Sequence, residues 1–193
     1  PRRRVSPPPS FPHPMEQSQR GDKTVQQIRL DEILFQGAIS FEQVDGGIRP
    51  WRLPVEELSL FAPPLIEQAG QPAGVRIGFV SSTTTVVLGL VPCDDERMVD
   101  CVVDDELVET GIVAPGATEV RFEGLPEGEK RIELYLSQKA PMVVTSLAID
   151  EGATRSLIPD DRPRWITYGS SITQAKDAAS PAQTWPALVA RRQ

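Results

Sequence analysis

The sequence predicts a mainly β protein, in which a β-sandwich is followed by the first strand–helix unit of an α/β domain. The 19 prolines among 193 residues are about twice the usual ~5%, and they disfavour a helical bundle because proline breaks helix interiors. Short apolar runs alternate with polar residues from about residue 28 to residue 150. After Asp150 a polar stretch leads into a strand, a turn and a helix, which is typical of an α/β unit.

The strands of the sandwich follow from the alternation and from turn residues between them. Pro50 removes a hydrogen-bond donor, so the strand over residues 48–53 is expected at a sheet edge. Asp104 and Asp105 stand between two apolar runs and predict a hairpin turn. Segment 58–70 is left open between a short helix and a turn. The remaining predicted strands cover residues 33–41, 74–80, 84–91, 99–103, 107–113, 118–122, 131–136 and 142–149.

The charge and the apolar runs limit the partners. A net charge of −7 repels phosphate backbones, which argues against nucleic acid. No run approaches the ~18 apolar residues of a membrane span, so we expect a soluble protein with no membrane partner. The basic residues 2–4 are interpreted as a solvated tail. A proline-rich stretch follows them where a secretory signal would be apolar, which predicts a cytoplasmic location.

Four segments make up the predicted domain organisation. Residues 1–27 are expected to be a disordered proline-rich leader, with Met15 as an alternative start. Residues 28–150 form the sandwich, residues 151–163 a linker, and residues 164–193 the incomplete start of the α/β domain. That last segment is expected to be either poorly anchored or docked opportunistically, because a lone strand and helix cannot cover their own apolar faces.

The cysteines and the acidic residues leave alternatives open. Cys93 and Cys101 are either two half-buried thiols or a bridge between neighbouring strands. Eight acidic residues lie between positions 94 and 109 and predict a solvated hairpin, with a Ca²⁺ site as the alternative. The pattern predicts no cofactor, and the oligomeric state is left open.

The turn at residues 169–173, Gly-Ser-Ser-Ile-Thr, carries the chemistry. It follows a predicted strand over residues 164–168 and precedes a helix that begins near Thr184, with Pro186 in its first turn. A serine at such a strand tip can be an exposed nucleophile, and backbone N–H groups at the turn can donate to an oxyanion. Thr173 stands where the second glycine of a GxSxG elbow would be, so that template does not fit.

These residues resemble the first block of the SGNH (GDSL) hydrolase family, which usually reads Gly-Asp-Ser-Ile/Leu-Thr. The resemblance implies that Ser171 is the nucleophile and that its backbone N–H helps to form the oxyanion hole. Gly169, Ser170 and Thr173 support the motif, with Ser170 at the position of the frequent Asp. Ala175 replaces a glycine that the family often has.

The upstream strands resemble the jelly-roll-like β-sandwich that some branches of the family carry, as in carbohydrate esterase family two and related bacterial acyl-transfer enzymes. The resemblance therefore implies the N-terminal portion of a serine esterase, whose second domain has the flavodoxin-like α/β fold of the SGNH family. Its substrates would be small-molecule or carbohydrate esters, with carbohydrate O-acetyl groups as the leading class.

The later blocks of the family supply an Asn and an Asp-x-x-His base. The chain has no asparagine, and its only histidine is His13 in the leader. These 193 residues are therefore expected to be inactive by themselves. The alternative is a non-catalytic sandwich that binds a glycan or a protein partner. Trp51, Phe79 and Tyr135 would serve as its sugar platform if exposed, although each is interpreted first as a core residue.

Overall fold

The computed structural model describes residues 24–31, 34–159 and 165–192. The elements follow one another in this order: β1 (Val25–Ile28), β2 (Phe35–Gln36), β3 (Ser40–Val44), β4 (Gly47–Trp51), a 3₁₀ segment (Val55–Leu60), α1 (Pro63–Ala69), β5 (Arg76–Ser81), β6 (Thr85–Leu90), β7 (Arg97–Val103), β8 (Glu106–Val113), β9 (Glu119–Glu123), β10 (Lys130–Tyr135), β11 (Val144–Asp150), β12 (Arg155–Ser156), α2 (Ser171–Gln174), a 3₁₀ turn (Pro181–Gln183) and α3 (Trp185–Ala190).

The strands form two antiparallel sheets. Sheet 1 has the order β3-β4-β11-β6-β9, with β1 also paired to β11, and sheet 2 has the order β12-β5-β10-β7-β8, with β2 also paired to β5. One apolar core joins them, because side chains from both sheets belong to a single buried cluster. The predicted mainly β sandwich is confirmed.

The core follows the predicted alternation. Ile77 and Phe79 of β5 are fully buried, as are Ile132 and Leu134 of β10, while Phe122 lies in the core from β9 of sheet 1. Register explains the packing, because Phe79 lies opposite Ile132 and Ile77 opposite Leu134 on paired strands. Each large apolar side chain buried in this way contributes about 1.5–3 kcal/mol, so the core is the main source of stability.

The acidic hairpin between β7 and β8 confirms the turn prediction. Asp104 and Asp105 both have positive φ, 47° and 71°, which is the backbone of a type I′ turn. The carboxylate of Asp104 accepts a hydrogen bond from the backbone N–H of Arg131 at 2.9 Å, and Asp105 forms an ion pair with the Arg131 guanidinium. The turn is thereby fixed to β10, the neighbour of β7.

Two segments differ from the sequence prediction, and a third segment, which the prediction left open, is resolved. The strand expected over residues 33–41 is interrupted, and Ile33 lies outside the described residues. At Gly37 the chain leaves sheet 2 for sheet 1 with φ 86°, and a Cβ there would lie 2.7 Å from the Gly74 carbonyl oxygen. Segment 58–70 contains helix α1, which begins at Pro63, where proline is tolerated. Strand β1 begins at Val25, inside the segment expected to be a leader.

The prediction that Pro50 places its strand at a sheet edge is wrong, because β4 lies between β3 and β11. The pairing of β4 with β11 consists of Ile48 opposite Val144, two residues before the proline. The missing N–H of Pro50 therefore falls outside that pairing, and an interior strand position is compatible with it.

The two cysteines are unlinked thiols, Cys93 partly exposed and Cys101 buried. Burial, together with the smaller effects of the neighbouring Glu109 and Asp100 carboxylates, raises the pKa of the Cys101 thiol to about 12. A thiol that stays protonated at neutral pH is a poor nucleophile, so Cys101 is a core residue.

Candidate functional site

The segment before the Gly-Ser-Ser turn is not a strand. Residues 165–169 have no regular secondary structure, and Arg164 lies outside the described residues. The side chain of Ile166 is 89% exposed and that of Tyr168 is 100% exposed. The predicted strand over 164–168 is wrong for the described residues, because none of the described strands lies beside them to complete a backbone ladder.

Ser171 is the first residue of α2 and is exposed. The turn is closed by backbone hydrogen bonds from Thr173 N to Ser170 O at 2.9 Å and from Ala175 N to Ser171 O at 2.9 Å. The first N–H groups of a helix have no acceptor inside it. The local backbone therefore presents both a hydroxyl and N–H groups at the start of α2.

Two positions of the motif have backbone reasons for their residue types. A Cβ on Gly169 would lie 2.1 Å from Thr173 Oγ1, so the threonine side chain occupies the space that only glycine leaves open. Ala175 ends α2 in the left-handed region, with φ 53° and ψ 43°. That conformation favours glycine, which agrees with the residue that Ala175 replaces in the SGNH block.

Helix α3 is tied to this turn through a tryptophan. Trp185 Nε1 donates a hydrogen bond to the Ile172 carbonyl at 2.9 Å. The ring of Trp185 also lies against that of Trp165, with centroids 6.1 Å apart. The predicted N-cap position is confirmed, because Thr184 precedes the helix and Pro186 is in its first turn. The Thr184 hydroxyl, however, donates to the Pro181 carbonyl at 3.1 Å.

The C-terminal segment is docked on the outer face of sheet 2. Asp100 of β7 is fully buried, and its Oδ2 accepts hydrogen bonds from Ser180 Oγ at 2.5 Å and from the Ala182 N–H at 2.6 Å. Ala182 and Ala187 form a buried apolar cluster with Val102 and Tyr135 of the sandwich. Of the two alternatives expected for this segment, the structure shows docking for its described residues.

Charged groups lie around the docked segment. The Arg191 guanidinium stands 5.5 Å from the Tyr135 ring centroid, and Arg76 stands 5.6 Å from the same centroid. Glu133, almost completely buried, is paired with Arg76 at 2.7 Å. Burial raises the pKa of Tyr135, and Glu133 raises it further, while the two arginines oppose the rise. The phenol therefore stays neutral beneath the segment.

A second contact joins α2 itself to the sandwich. Gln174, the last residue of α2, donates from Nε2 to Gln71 Oε1 at 2.6 Å and to the Gln138 carbonyl at 3.1 Å. Sequence reasoning missed Gln71, Gln138 and Asp100. Their roles depend on a contact between distant segments, and no local pattern in the chain signals it.

The described residues hold no histidine that could act as a general base for Ser171. The only histidine of the sequence, His13, lies outside the described residues. Within the described ranges, no group of three or more His, Cys, Asp or Glu side chains could hold a metal ion. Most acids of the 94–109 stretch are exposed, as expected for a solvated hairpin, but Asp100 is used in docking.

The other candidate residues are in the interior. Trp51, Phe79 and Tyr135 are at most 5% exposed, so the interpretation as buried residues is confirmed for all three. The Trp51 Nε1 donates to Glu42 at 3.0 Å, and its ring stacks with Arg49 at 4.2 Å. None of the three offers a platform for a sugar. In the described part of the chain, no helix is long and apolar enough to cross a membrane.

Comparison with known proteins relates this fold to acyl-transfer and ester-cleaving proteins. The structure of the salicylyl-acyltransferase SsfX3 from a tetracycline biosynthetic pathway aligns with a TM-score of 0.74 and 31% identity, covering 82% of this chain and 48% of that chain. The crystal structure of a GDSL-like lipase from Bacteroides ovatus ATCC 8483 aligns with a TM-score of 0.70 and 19% identity, covering 87% of this chain and 53% of that one. The second likeness shows the fold alone.

The two alignments show that this chain shares its fold with both proteins. Residues 33–145 match the family described as the SsfX3 N-terminal domain, and the chain belongs to that family. It spans about half the length of the two solved structures. The comparison with curated protein sequences gives no match.

Proposed function

We propose that the chain is the N-terminal part of an SGNH-type serine esterase or acyltransferase in which Ser171 is the nucleophile. The observation that carries the proposal is the placement of Ser171. It is exposed at the start of α2, on a turn where Gly169 leaves room for Thr173, and α2 is bonded to the sandwich. The match of residues 33–145 to the SsfX3 N-terminal domain family, which ends before the turn, supports the proposal that the sandwich is the N-terminal part of such a protein.

The proposed reaction proceeds through an acyl-enzyme. Ser171 Oγ forms a bond to the ester carbonyl carbon while a general base takes its proton, and the carbonyl electrons move onto an oxyanion. The N–H of Ser171 donates to that oxyanion. The C–O bond to the alcohol then breaks, and the alcohol leaves with the proton. Water or a second hydroxyl group attacks the acyl-enzyme in the same way and restores the serine.

The described residues contain no histidine, the usual general base for a serine nucleophile. We assign the base, with the remaining oxyanion donors, to chain beyond these residues. Carbohydrate O-acetyl esters are the proposed substrate class. Transfer of the acyl group to an acceptor other than water is tested beside hydrolysis.

The test compares two proteins, the 193-residue chain and the product of the complete reading frame that contains it. We expect negligible hydrolysis of p-nitrophenyl acetate by the chain, and clear turnover by the complete protein. Ser171→Ala should reduce that turnover by at least about a thousandfold, as removal of a serine nucleophile does elsewhere. The matched control is Ser59→Ala, which truncates an exposed serine of the 3₁₀ segment.

Two results would contradict the proposal. Complete protein that turns over no ester, or turnover that survives Ser171→Ala, would remove Ser171 as the nucleophile. Turnover by the 193-residue chain itself that vanishes in Ser171→Ala would show instead that the base lies within these residues. Acetylated xylan and a hydroxyl acceptor, supplied in parallel, would separate a carbohydrate esterase from an acyltransferase.

A further inference from the structure

We infer that the sandwich positions the nucleophile through three glutamines, Gln71, Gln138 and Gln174, which we name the glutamine relay. The inference rests on the proposed function of Ser171. In this arrangement Gln174 is a positioning residue, because it holds the helical turn that begins with Ser171 and touches no reacting atom.

The relay joins segments far apart in the chain. Gln71 follows α1, Gln138 follows β10, and Gln174 lies three residues after Ser171. Gln174 Nε2 bonds to the side chain of Gln71 and to the backbone carbonyl of Gln138, and Gln138 Nε2 donates in turn to the Ala178 carbonyl at 3.3 Å. The sandwich therefore holds both the end of α2 and the loop after it.

The chemistry of the contact fixes the orientation of the amides. The Gln138 backbone carbonyl is only an acceptor, so the nitrogen of Gln174 must face it. Gln71 must then present its Oε1 to the same nitrogen. Gln71 and Gln138 are 5% and 0% exposed, so water does not easily replace these bonds.

Helix α2 depends on such contacts because it cannot stabilise itself. It has four residues, none of them buried, and an isolated helix of that length does not persist in water. Among the described residues, the side-chain hydrogen bonds to α2 are those of the relay and the bond from Trp185 to the Ile172 carbonyl. The position of Ser171 is thus set from the sandwich as well as from α3.

Gln174→Glu tests the relay with almost no change of shape. The new carboxylate cannot donate to the Gln138 carbonyl, so that bond is lost. Gln71 could still rotate its amide and donate to the carboxylate. Gln183→Glu is the matched control, since it makes the same change at an exposed glutamine of the docked segment. In the complete protein we expect kcat for p-nitrophenyl acetate to fall about 10- to 100-fold in Gln174→Glu, with KM changed less than twofold, and no change in the control.

Hydrogen exchange in the 193-residue chain tests the same contact without catalysis. The amides of Thr173 and Ala175, which close the turn, should exchange at least about tenfold faster in Gln174→Glu and unchanged in Gln183→Glu. The effects of Gln71→Ala and Gln174→Ala on these exchange rates should be non-additive in the double variant, because the two side chains are in contact.

The outcomes separate the relay from the proposed function. Faster exchange together with an unchanged kcat would overturn the positioning role. Unchanged exchange would overturn the relay itself. If the wild-type complete protein shows no turnover that depends on Ser171, the proposed function fails, and faster exchange would then support only a structural relay.

Discussion

The buried carboxylate of Asp100 offers the sharpest test of how the C-terminal segment is held. Asp100→Ala removes the acceptor of two hydrogen bonds, from Ser180 Oγ at 2.5 Å and the Ala182 N–H at 2.6 Å. A hydrogen bond to a charged group contributes about 1.5–3 kcal/mol. Because both bonds share one oxygen, and burying the carboxylate itself has a cost, we expect a loss near the lower end of the sum, about 3 kcal/mol.

That loss should appear in the docking of the segment. The backbone amides of Leu188 and Arg191 are bonded within the docked helix region, to Thr184 and Ala187. If these amides exchange when the segment detaches, a loss of about 3 kcal/mol in the free energy of docking accelerates their exchange about 100-fold. Hydrogen exchange followed by mass spectrometry on peptides that cover residues 180–192 is the assay.

Two further variants make the result interpretable. Asp100→Asn keeps an oxygen acceptor without the charge and should accelerate exchange only about tenfold. Asp95→Ala removes an exposed acid of the same stretch and should leave exchange unchanged. If α3 in Asp100→Ala exchanges within about threefold of the wild type, the segment is held by its apolar contacts, and the reasoning from Asp100 is refuted.

Three other predictions concern stability. Ala175→Gly should raise the free energy of unfolding by up to about 1 kcal/mol, because φ is 53° there; an unchanged or lower urea midpoint would contradict it. Burial alone would raise the pKa of Asp150, but hydrogen bonds from the Thr84 N–H and hydroxyl outweigh it and lower the pKa. That stability is present above about pH 4 and is lost as pH falls through the lowered pKa, so the defect of Asp150→Asn, about 2 kcal/mol at pH 7, should shrink below about pH 4 in urea titrations. Phe122→Ala should cost about 3–5 kcal/mol in the same assay, and the less buried Phe61→Ala clearly less.

The sandwich could be predicted because its determinants are local. Alternation along β5 and β10 places Phe79 and Ile132 in the core, and the Asp104-Asp105 pair fixes a hairpin whose backbone those residues tolerate. Pro50 misled the prediction because its missing donor matters only where a neighbouring ladder needs it. That need depends on how far β11 extends along β4, which is a property of the assembled sheet.

The candidate site could be predicted only in part, for the same reason. The Gly-Ser-Ser-Ile-Thr turn is a local pattern, and its glycine has the close contact with Thr173 that the pattern requires. The partners of the turn are not local. Gln71 and Gln174 are 103 positions apart, and nothing near either residue in the chain indicates the bond between them.

The outer face of sheet 2 shows how alternation can mislead about function. Polar residues between core positions, such as Asp100 and Glu133, predict a sheet face that meets water, yet both are buried. Asp100 lies on β7 and Glu133 on the neighbouring β10. The docked segment covers the outer face of this sheet at Tyr135. A buried carboxylate requires partners, and Asp100 finds them in Ser180 and Ala182. The polar position of Asp100 therefore encodes an interface, whereas Glu133 is paired with Arg76 of the sandwich itself. The sandwich acts as the support for the segment that bears Ser171.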